Sequence, residues 1–382
     1  LEVFFVLEQL ERREKKFRTQ SKGRLIVSDM SGVELLVAFD VLSKMRDAGK
    51  IPDTLIFVSH GKESLSLGKY EDLDEIRYKA VKRDGVLVGR RESGAGTYYA
   101  PKGQIAAVLV TTTDVFPNLE EAERIWAGEV VLELFMRVGV LDAYYSHPGD
   151  IRKDDKKLGG STSLIWGKGV VVGTFINRLT PSVKFFTDYY VYPEEKLKDK
   201  LLRDVTMYAG SMEKDAPRTP TEEEVKNLLL TIVKQKLGME FAPGNFTEEE
   251  KEMIAEGFKK LTAEDVVTSV SKSRWYNKLP NDWRAATFRY KSERTINASV
   301  AIDKTKKIRD ILITGDFLLS PADGLEKVVN ALKGISAENQ KAISNAIVEA
   351  FKNNKIDYTG FTLEEFTKTI IEAAVLALQQ KP

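Results

Sequence analysis

Cysteine is absent from the 382 residues. That removes disulfides, thiolate zinc sites, iron–sulfur clusters and every mechanism built on a thiol nucleophile. Histidine occurs only as His60 and His147, too few for a multi-histidine metal centre. There is no basic excess: 58 Lys and Arg stand against 57 Asp and Glu, so the electrostatic footprint of a nucleic-acid-binding protein is missing. No apolar run approaches about 18 residues, and no membrane-spanning helix is expected. The opening string LEVFFVLEQLERREKKF lacks a basic region ahead of its apolar part and a small-residue cleavage site, so it does not read as a signal peptide. The lack of cysteine fits a reducing compartment, which makes the cytoplasm the expected location. High Lys and Glu content leans towards a thermophilic source.

What is present is an ordinary globular composition. Hydrophobic residues make up 42%, enough for a sizeable core, and the length suggests about two or three domains. Leu35, Ala38, Phe39, Leu42 and Met45 fall on one face of a helix over 33–48. Short apolar runs at 54–58, 86–90, 106–112 and 169–177 read as strands. Residues 119–136 read as one helix with an acidic first turn. Strands and helices mix without strict βαβ alternation, so the expected class is α+β with a mixed sheet. Capping boxes at Thr221/Glu224, Thr247/Glu250 and Thr362/Glu365 start helices. Pro243 and Gly244 predict a loop over 241–245. Near the C-terminus, Ile296, Ala298, Val300 and Ile302 alternate in a strand, the middle one of a predicted three-stranded meander. Helices over 325–332, from a Ser336 cap and from a Thr362 cap should cover one face of that sheet. The expected domains are 18–250, with a helical connector from about 196, and 273–382.

Three segments have the composition of chemistry. The string Arg90-Arg91-Glu92-Ser93-Gly94-Ala95-Gly96-Thr97, running on to Gln104, joins two predicted strands. Glycines permit close backbone approach, successive N–H groups can cradle an anion, and an arginine can clamp it. Alone, the string reads more simply as a tight turn with solvated arginines. It is neither a Walker A loop nor a dinucleotide fingerprint. Asp150, followed by Lys156-Lys157-Leu158-Gly159-Gly160-Ser161-Thr162, places a lysine beside a predicted turn, although most lysines are simply solvated. The strand Val172-Gly173-Thr174-Phe175-Ile176 ends in Asn177. His60 and His147 are expected at the surface, and no Gly-x-Ser-x-Gly elbow accompanies them.

Taken in order, Arg24-Leu25-Ile26, the 33–45 helix, Ser64-Leu65-Ser66-Leu67-Gly68-Lys69, RRESGAG, Asp150, KKLGGST and VGTFIN resemble the lipoate–protein ligase family, within the biotin and lipoate ligase superfamily. The segment Ile313-Thr314-Gly315-Asp316-Phe317 and the helix after it resemble the accessory domain of the two-domain members. The resemblance implies that ATP activates lipoate or octanoate to an acyl-AMP (lipoyl-AMP for lipoate). The acyl group then passes to a lysine of a lipoyl-domain protein. Acceptors implied are a glycine cleavage H protein, a 2-oxoacid dehydrogenase E2 or a dedicated lipoate-binding protein of sulfur metabolism. Lys157 becomes the catalytic lysine by this carry-over. Arg90, Arg91, Ser93, Gly94, Gly96, Gln104, Gly160, Ser161, Thr162 and Asn177 become ligand-binding residues, with Gly160, Ser161 and Thr162 forming a turn against the ligand. Asp150 is placed at the nucleotide or its Mg²⁺. No nucleic-acid or membrane partner is implied, and a monomer is expected.

The chain departs from the family pattern at several points. Ala100 and Val172 stand where the family often has histidine, the triple glycine reads Gly94-Ala95-Gly96, and the acidic pair of the first helix is reduced to Asp40 before Val41. Two alternatives stay open: an ATP-independent octanoyl or lipoyl transferase, disfavoured by the missing cysteine nucleophile, and a non-catalytic acyl-adenylate-binding protein. The Gly-Arg-Gly-Arg pattern of the biotin branch is absent.

Overall fold

The computed structural model describes residues 22–94, 96–147, 149–182, 184–191, 209–291, 294–321 and 323–380. The expected domain start at residue 18, Ala95 and the 196–208 part of the connector lie outside the described residues. By packing, the chain divides into two compact units. The described residues within Leu1–Ser64, Ala100–Thr187 and Tyr192–Phe258 form the first, and those within Leu65–Tyr99, Asp188–Val191 and Lys259–Pro382 the second.

The first unit is built on an eight-stranded mixed sheet. Its strands are β1 (Gly23–Ser28), β2 (Thr54–Ser59), β6 (Ile105–Thr112), β7 (Tyr144–Ser146), β8 (Asp150–Lys153), β9 (Lys156–Trp166), β10 (Gly169–Ile176) and β11 (Phe241–Pro243). They lie in the order β11-β1-β2-β6-β10-β9-β8-β7. Strand β1 runs parallel to β2 and β11, and the pairs from β2 to β7 are antiparallel. The parallel β1–β2 pair needs a crossover, which helix α1 (Gly32–Asp47) supplies. Ser31 and Glu34 form a capping box at its start, and all five residues of its predicted apolar face are buried.

Register places Val58, Ala106, Phe175, Gly160 and Asp150 side by side across β2, β6, β10, β9 and β8. The next row on the same face is Ile56, Val108, Gly173 and Thr162. Helix α1 lies on this face, where a Cβ on Gly173 would stand 2.6 Å from the Phe39 ring; the bare glycine lets the helix approach. The opposite face carries Leu55, Phe57, Leu109, Val170 and Val172. It is covered by helices α2 (Leu119–Ile125), α3 (Leu132–Arg137) and α5 (Glu222–Leu237), with Trp126, Phe135, Leu229 and Val233 in the core.

Two expectations change here. The predicted 119–136 helix is interrupted by a π turn at Trp126–Val131, where Gly128 accommodates the Tyr145 ring. Residues 241–243 form an edge strand where a loop was expected. A Cβ on Gly23 would stand 2.7 Å from the Phe241 ring, and Pro243 tolerates an edge position because it needs no donor partner. The Thr247/Glu250 box starts helix α6 (Glu248–Thr262), whose residues through Phe258 belong to this unit.

The second unit holds a small sheet of β3 (Ser64–Leu67), β4 (Leu87–Arg90) and β5 (Tyr98–Ala100) in the order β4-β3-β5. It also holds the antiparallel meander β12 (Arg284–Lys291), β13 (Thr295–Ile302) and β14 (Ile308–Gly315). Ile296, Ala298, Val300 and Ile302 are fully buried, as the alternation requires. They pack with helices α8 (Gly324–Leu332), α9 (Gln340–Asn353) and α10 (Leu363–Gln379). Helix α9 starts at Asn339, whose side chain accepts from the Ala342 N–H; the expected Ser336 cap lies upstream of it. Packing does not follow the sequence boundaries, because residues 65–99 join the C-terminal part. Tyr70 stacks on Phe317 at 5.0 Å. Its carbonyl accepts from the Gly315 N–H, and Asp74 accepts from Ser271 and Ser273.

Candidate active site

Lys157 opens the inner part of β9. Its ammonium lies 2.6 Å from Asp150 Oδ1, and the other Asp150 oxygen faces Arg152 Nη1 at 3.7 Å. The lysine stem crosses Gly160, where a Cβ would stand 2.8 Å from Lys157 Cε and 2.9 Å from Nζ. Gly159 is equally confined, its Cβ position being 2.8 Å from the Phe175 carbonyl oxygen. The two glycines therefore allow close strand packing on one side and a lysine lying flat on the other. The expected turn at Gly160, Ser161 and Thr162 is absent: all three lie within β9. Alternation then separates them. Gly160 and Thr162 share the face of Phe175 and Gly173, whereas Ser161 is turned to the opposite face, that of Val172, and bonds Thr174 Oγ1 at 2.7 Å. The half-exposed ammonium above Gly160 can meet a carboxylate or phosphate oxygen; Ser161 is committed elsewhere.

Asn177 and Gln104 meet beside this lysine. Gln104 Nε2 donates to Asn177 Oδ1 at 2.9 Å. Asn177 Nδ2 donates to the Lys157 and Gly210 carbonyls, both at 3.1 Å. His60 corrects the expectation of a surface residue. It is 1% exposed, Nδ1 lies 2.7 Å from the Met30 carbonyl, and the ring stacks on Phe175 at 6.3 Å. Burial lowers its pKa; the neutral ring then carries its proton on Nδ1, which donates to Met30. His147 is exposed. Sequence reading also missed Glu123, which accepts from Ser163 Oγ at 2.6 Å and whose carboxyl burial pushes upward; nothing local marks it among the acids of that helix start. Val172 and Ala100, at the family's histidine positions, are fully buried.

The Arg91 loop belongs to the second unit. Arg90 is 3% exposed. Its guanidinium donates to the carbonyls of Gly68 and Glu71, each at 2.8 Å, and of Val267 at 3.0 Å. Burial pushes its pKa down to about 10. Arg91 donates to Ser66 O at 2.8 Å, Gly94 O at 2.7 Å and Gly96 O at 2.6 Å. Both arginines thus hold backbone. Glu71, which no sequence signal marks, accepts from the N–H groups of Gly68 at 2.8 Å and Thr97 at 2.7 Å, and from the Thr97 hydroxyl. Burial raises its pKa against those donors. Ser93 contributes its carbonyl to the Lys69 N–H at 2.9 Å.

The glycines of this loop are not equivalent. A Cβ on Gly94 would stand 2.1 Å from the Phe317 carbonyl oxygen, whereas one on Gly96 meets nothing closer than 3.7 Å. Gly94→Ala should therefore destabilise the second unit by about 1–3 kcal/mol through overpacking. Gly96→Ala should stay within about 0.5 kcal/mol. Urea unfolding of the two variants checks the contrast, and equal effects would count against it.

Glu75 supplies a pH-dependent test. Burial pushes its carboxyl up; Arg289 pulls it down; Glu71, Asp72 and Asp316 push it further up. A raised carboxyl stabilises fully below its unfolded value and loses that contribution as pH rises through the folded value. Glu75→Gln should therefore gain stability relative to the unsubstituted protein as pH rises above the ordinary carboxylate range. Parallel stability curves would contradict this assignment.

The residues present do not form a cation site by themselves. Both Asp150 oxygens face cationic groups, and among the described residues no cluster of three Asp, Glu, His or Cys side chains could hold a metal. Among the described residues no helix is long and apolar enough to cross a membrane.

The mixed sheet, its crossover helix and the smaller α+β unit define the lipoate ligase-like fold. The Plasmodium falciparum LipL1 structure, solved in complex with lipoate, superposes with a TM-score of 0.61 over 92% of this chain and 100% of that one, at 16% identity. The chain belongs to the lipoyl protein ligase A/B catalytic domain family, whose model matches residues 36–234. Two curated relatives show the range of that family. The octanoyltransferase LipM of Geobacillus kaustophilus is 27% identical over 245 residues, covering 57% of this chain and 86% of its own. The lipoate-protein ligase LplJ of Bacillus subtilis is 24% identical over 316 residues, covering 80% of this chain and 88% of its own. The chain is an enzyme of the lipoate ligase and octanoyltransferase family.

Proposed function

We propose that the protein is an ATP-dependent lipoate–protein ligase. It activates lipoate or octanoate to an acyl-AMP and passes the acyl group to a lysine of a lipoyl-domain or lipoate-binding carrier protein. The observation that carries this reading is the Lys157 ammonium held over Gly160 by Asp150 at 2.6 Å. Adenylation brings a carboxylate against the α-phosphate, and a fixed cation offsets the repulsion between the two anions. The carboxylate oxygen bonds to phosphorus and pyrophosphate leaves. In the second step the acceptor amine attacks the acyl carbon and AMP leaves; the same cation stabilises the charge that develops. Neither step needs a covalent enzyme intermediate, which suits a chain without cysteine.

Thr162 and Gly160 share the lysine's face and are assigned to the ligand with it. Within the second unit, Arg90 and Arg91 hold the backbone of the loop that carries Ser93, Gly94 and Gly96. The second reading, an octanoyl transferase that needs no nucleotide, is favoured by the likeness to LipM. It is opposed by the absence of any thiol to carry the acyl group.

Incubation of the full chain with ATP, Mg²⁺, lipoate or octanoate and a lipoyl domain should add the acyl mass to one lysine of that domain. Omitting ATP should abolish the product. Transfer from an octanoylated carrier without nucleotide would instead support the transferase, and acyl-AMP binding without turnover a silent pocket.

A further inference from the structure

Asn177 and Gln104 were expected to contact the ligand, and their side chains are occupied otherwise. Both Asn177 contacts from Nδ2 run to main-chain carbonyls, those of Lys157 and Gly210, and its Oδ1 accepts from Gln104. The backbone completes the frame. Asn177 N–H donates to Leu158 O at 2.9 Å, Gly210 N–H to Lys157 O at 3.0 Å, and Met212 N–H to Asn177 O at 2.9 Å. Gln104 is itself fixed beside His60, whose N–H donates to Gln104 O at 2.9 Å while its carbonyl accepts from Gly103 at 2.7 Å. Thus the Lys157 carbonyl receives two hydrogen bonds, one of them from a side chain braced by a second side chain. The ladder bends at the same place: the β8–β9 register shifts between Ile151 and Arg152, next to the Lys157 pairing. At this irregular point in the ladder the amide pair holds the Lys157 main chain.

We infer that Gln104 and Asn177 are positioning residues that fix the main chain of Lys157, and so aim its ammonium, without touching substrate. The inference rests on the proposed ligase reading for its kinetic consequence and on the geometry alone for its structural one. An error of about 1 Å in a reacting group can cost about 10²-fold in rate. A positioning residue should lower kcat and leave KM nearly unchanged, whereas a ligand contact that binds substrate and transition state alike raises KM.

The test uses the full chain with Asn177→Ala, Gln104→Ala, Lys157→Ala and the Asn177→Ala/Lys157→Ala double variant. Pyrophosphate release with ATP and lipoate gives kcat and KM, and hydrogen exchange reads the Gly210 amide. Asn177→Ala should lower kcat by about 10–100-fold with KM within about twofold. Gln104→Ala, which deletes one bond and keeps the Asn177 pair, should give a smaller loss of the same kind. Adding Asn177→Ala to Lys157→Ala should cost nothing further, since residues acting as a unit are non-additive. Gly210 exchange should quicken in Asn177→Ala. A rise in KM at unchanged kcat, or a full additional loss on the Lys157→Ala background, would overturn the inference. Should the unsubstituted protein release no pyrophosphate, the ligase reading fails while the exchange experiment still decides the bracket: unchanged Gly210 protection refutes it.

Discussion

Lys157→Ala should leave the protein folded and cut acyl-AMP formation by about 10²–10³-fold, the cost typical of deleting one preorganised electrostatic contact to a developing charge. The two halves of that expectation rest on different observations. The fold should survive because the side chain is half-exposed and its partner Asp150 is also accessible; pairs of this kind contribute about 0–1 kcal/mol. The alanine variant also opens space above Gly160 without creating an enclosed cavity. The reaction should suffer because, on the proposed reading, no other cation among the described residues takes that place on the Gly160 face; Arg152 reaches Asp150 only at 3.7 Å. The loss belongs in kcat, since the ammonium acts most strongly where charge accumulates. Lys157→Arg should recover little, because a planar fork on a longer stem cannot lie over Gly160 as a compact point charge does. Pyrophosphate release under saturating lipoate and ATP measures all three proteins. Full turnover in the alanine variant would remove the lysine from the reaction.

Local signals in the sequence were read well, and non-local ones were not. The α1 face of Leu35, Ala38, Phe39, Leu42 and Met45 is buried because helical spacing alone dictates which residues share a side. The Thr221/Glu224 and Thr362/Glu365 boxes form because each needs only residues three apart, and Gly238 closes its helix at φ 65°. Gly159-Gly160 misled because paired glycines usually mark turns. Here they serve a strand, and the reason lies in residues 15 or more positions away and in the lysine stem above them. Arg90 and Arg91 show the same limit. Two adjacent charges look like ligand groups in sequence, yet the carbonyls they hold come from 66–71, 94–96 and 267. His60 was misplaced because its burial depends on Met30 and Phe175, neither of which is near it in the chain. The order of motifs, by contrast, carried the family, since it depends on the whole chain and not on any one contact.

The largest stability effect is expected far along the chain from Lys157, at Arg24 and Glu250. Glu250 has no exposed side-chain surface, and Arg24 only 13%. The guanidinium is engaged on every side: Nη1 donates to Glu250 Oε2 at 2.9 Å and Asn245 O at 3.2 Å, Nε to Thr54 Oγ1 at 2.9 Å, and Nη2 to Glu250 Oε1. Glu250 also closes the capping box of α6, accepting from Thr247 N–H at 2.6 Å. Glu250→Ala therefore strips a buried arginine of its partner and the helix of the reciprocal half of its capping box, while the Thr247 Oγ1 cap on the 250 N–H remains. Breaking a buried pair from one side costs about 3–5 kcal/mol. Glu250→Gln should cost clearly less, because glutamine keeps an acceptor and still serves as a capping-box residue. Replacing both partners together, as Arg24→Met with Glu250→Leu, should recover part of the loss, since no uncompensated charge then remains buried. Urea unfolding followed by tryptophan fluorescence gives the order: double apolar variant and Glu250→Gln above Glu250→Ala. Trp126, fully buried in the first unit, is the natural reporter. A loss below about 1 kcal/mol in Glu250→Ala would mean that water reaches the pair and screens it as at a surface. Below the unfolding transition, the same variants should keep the activity of the parent, because nothing in the Arg24–Glu250 contact set includes Lys157, Asp150, Gln104 or Asn177.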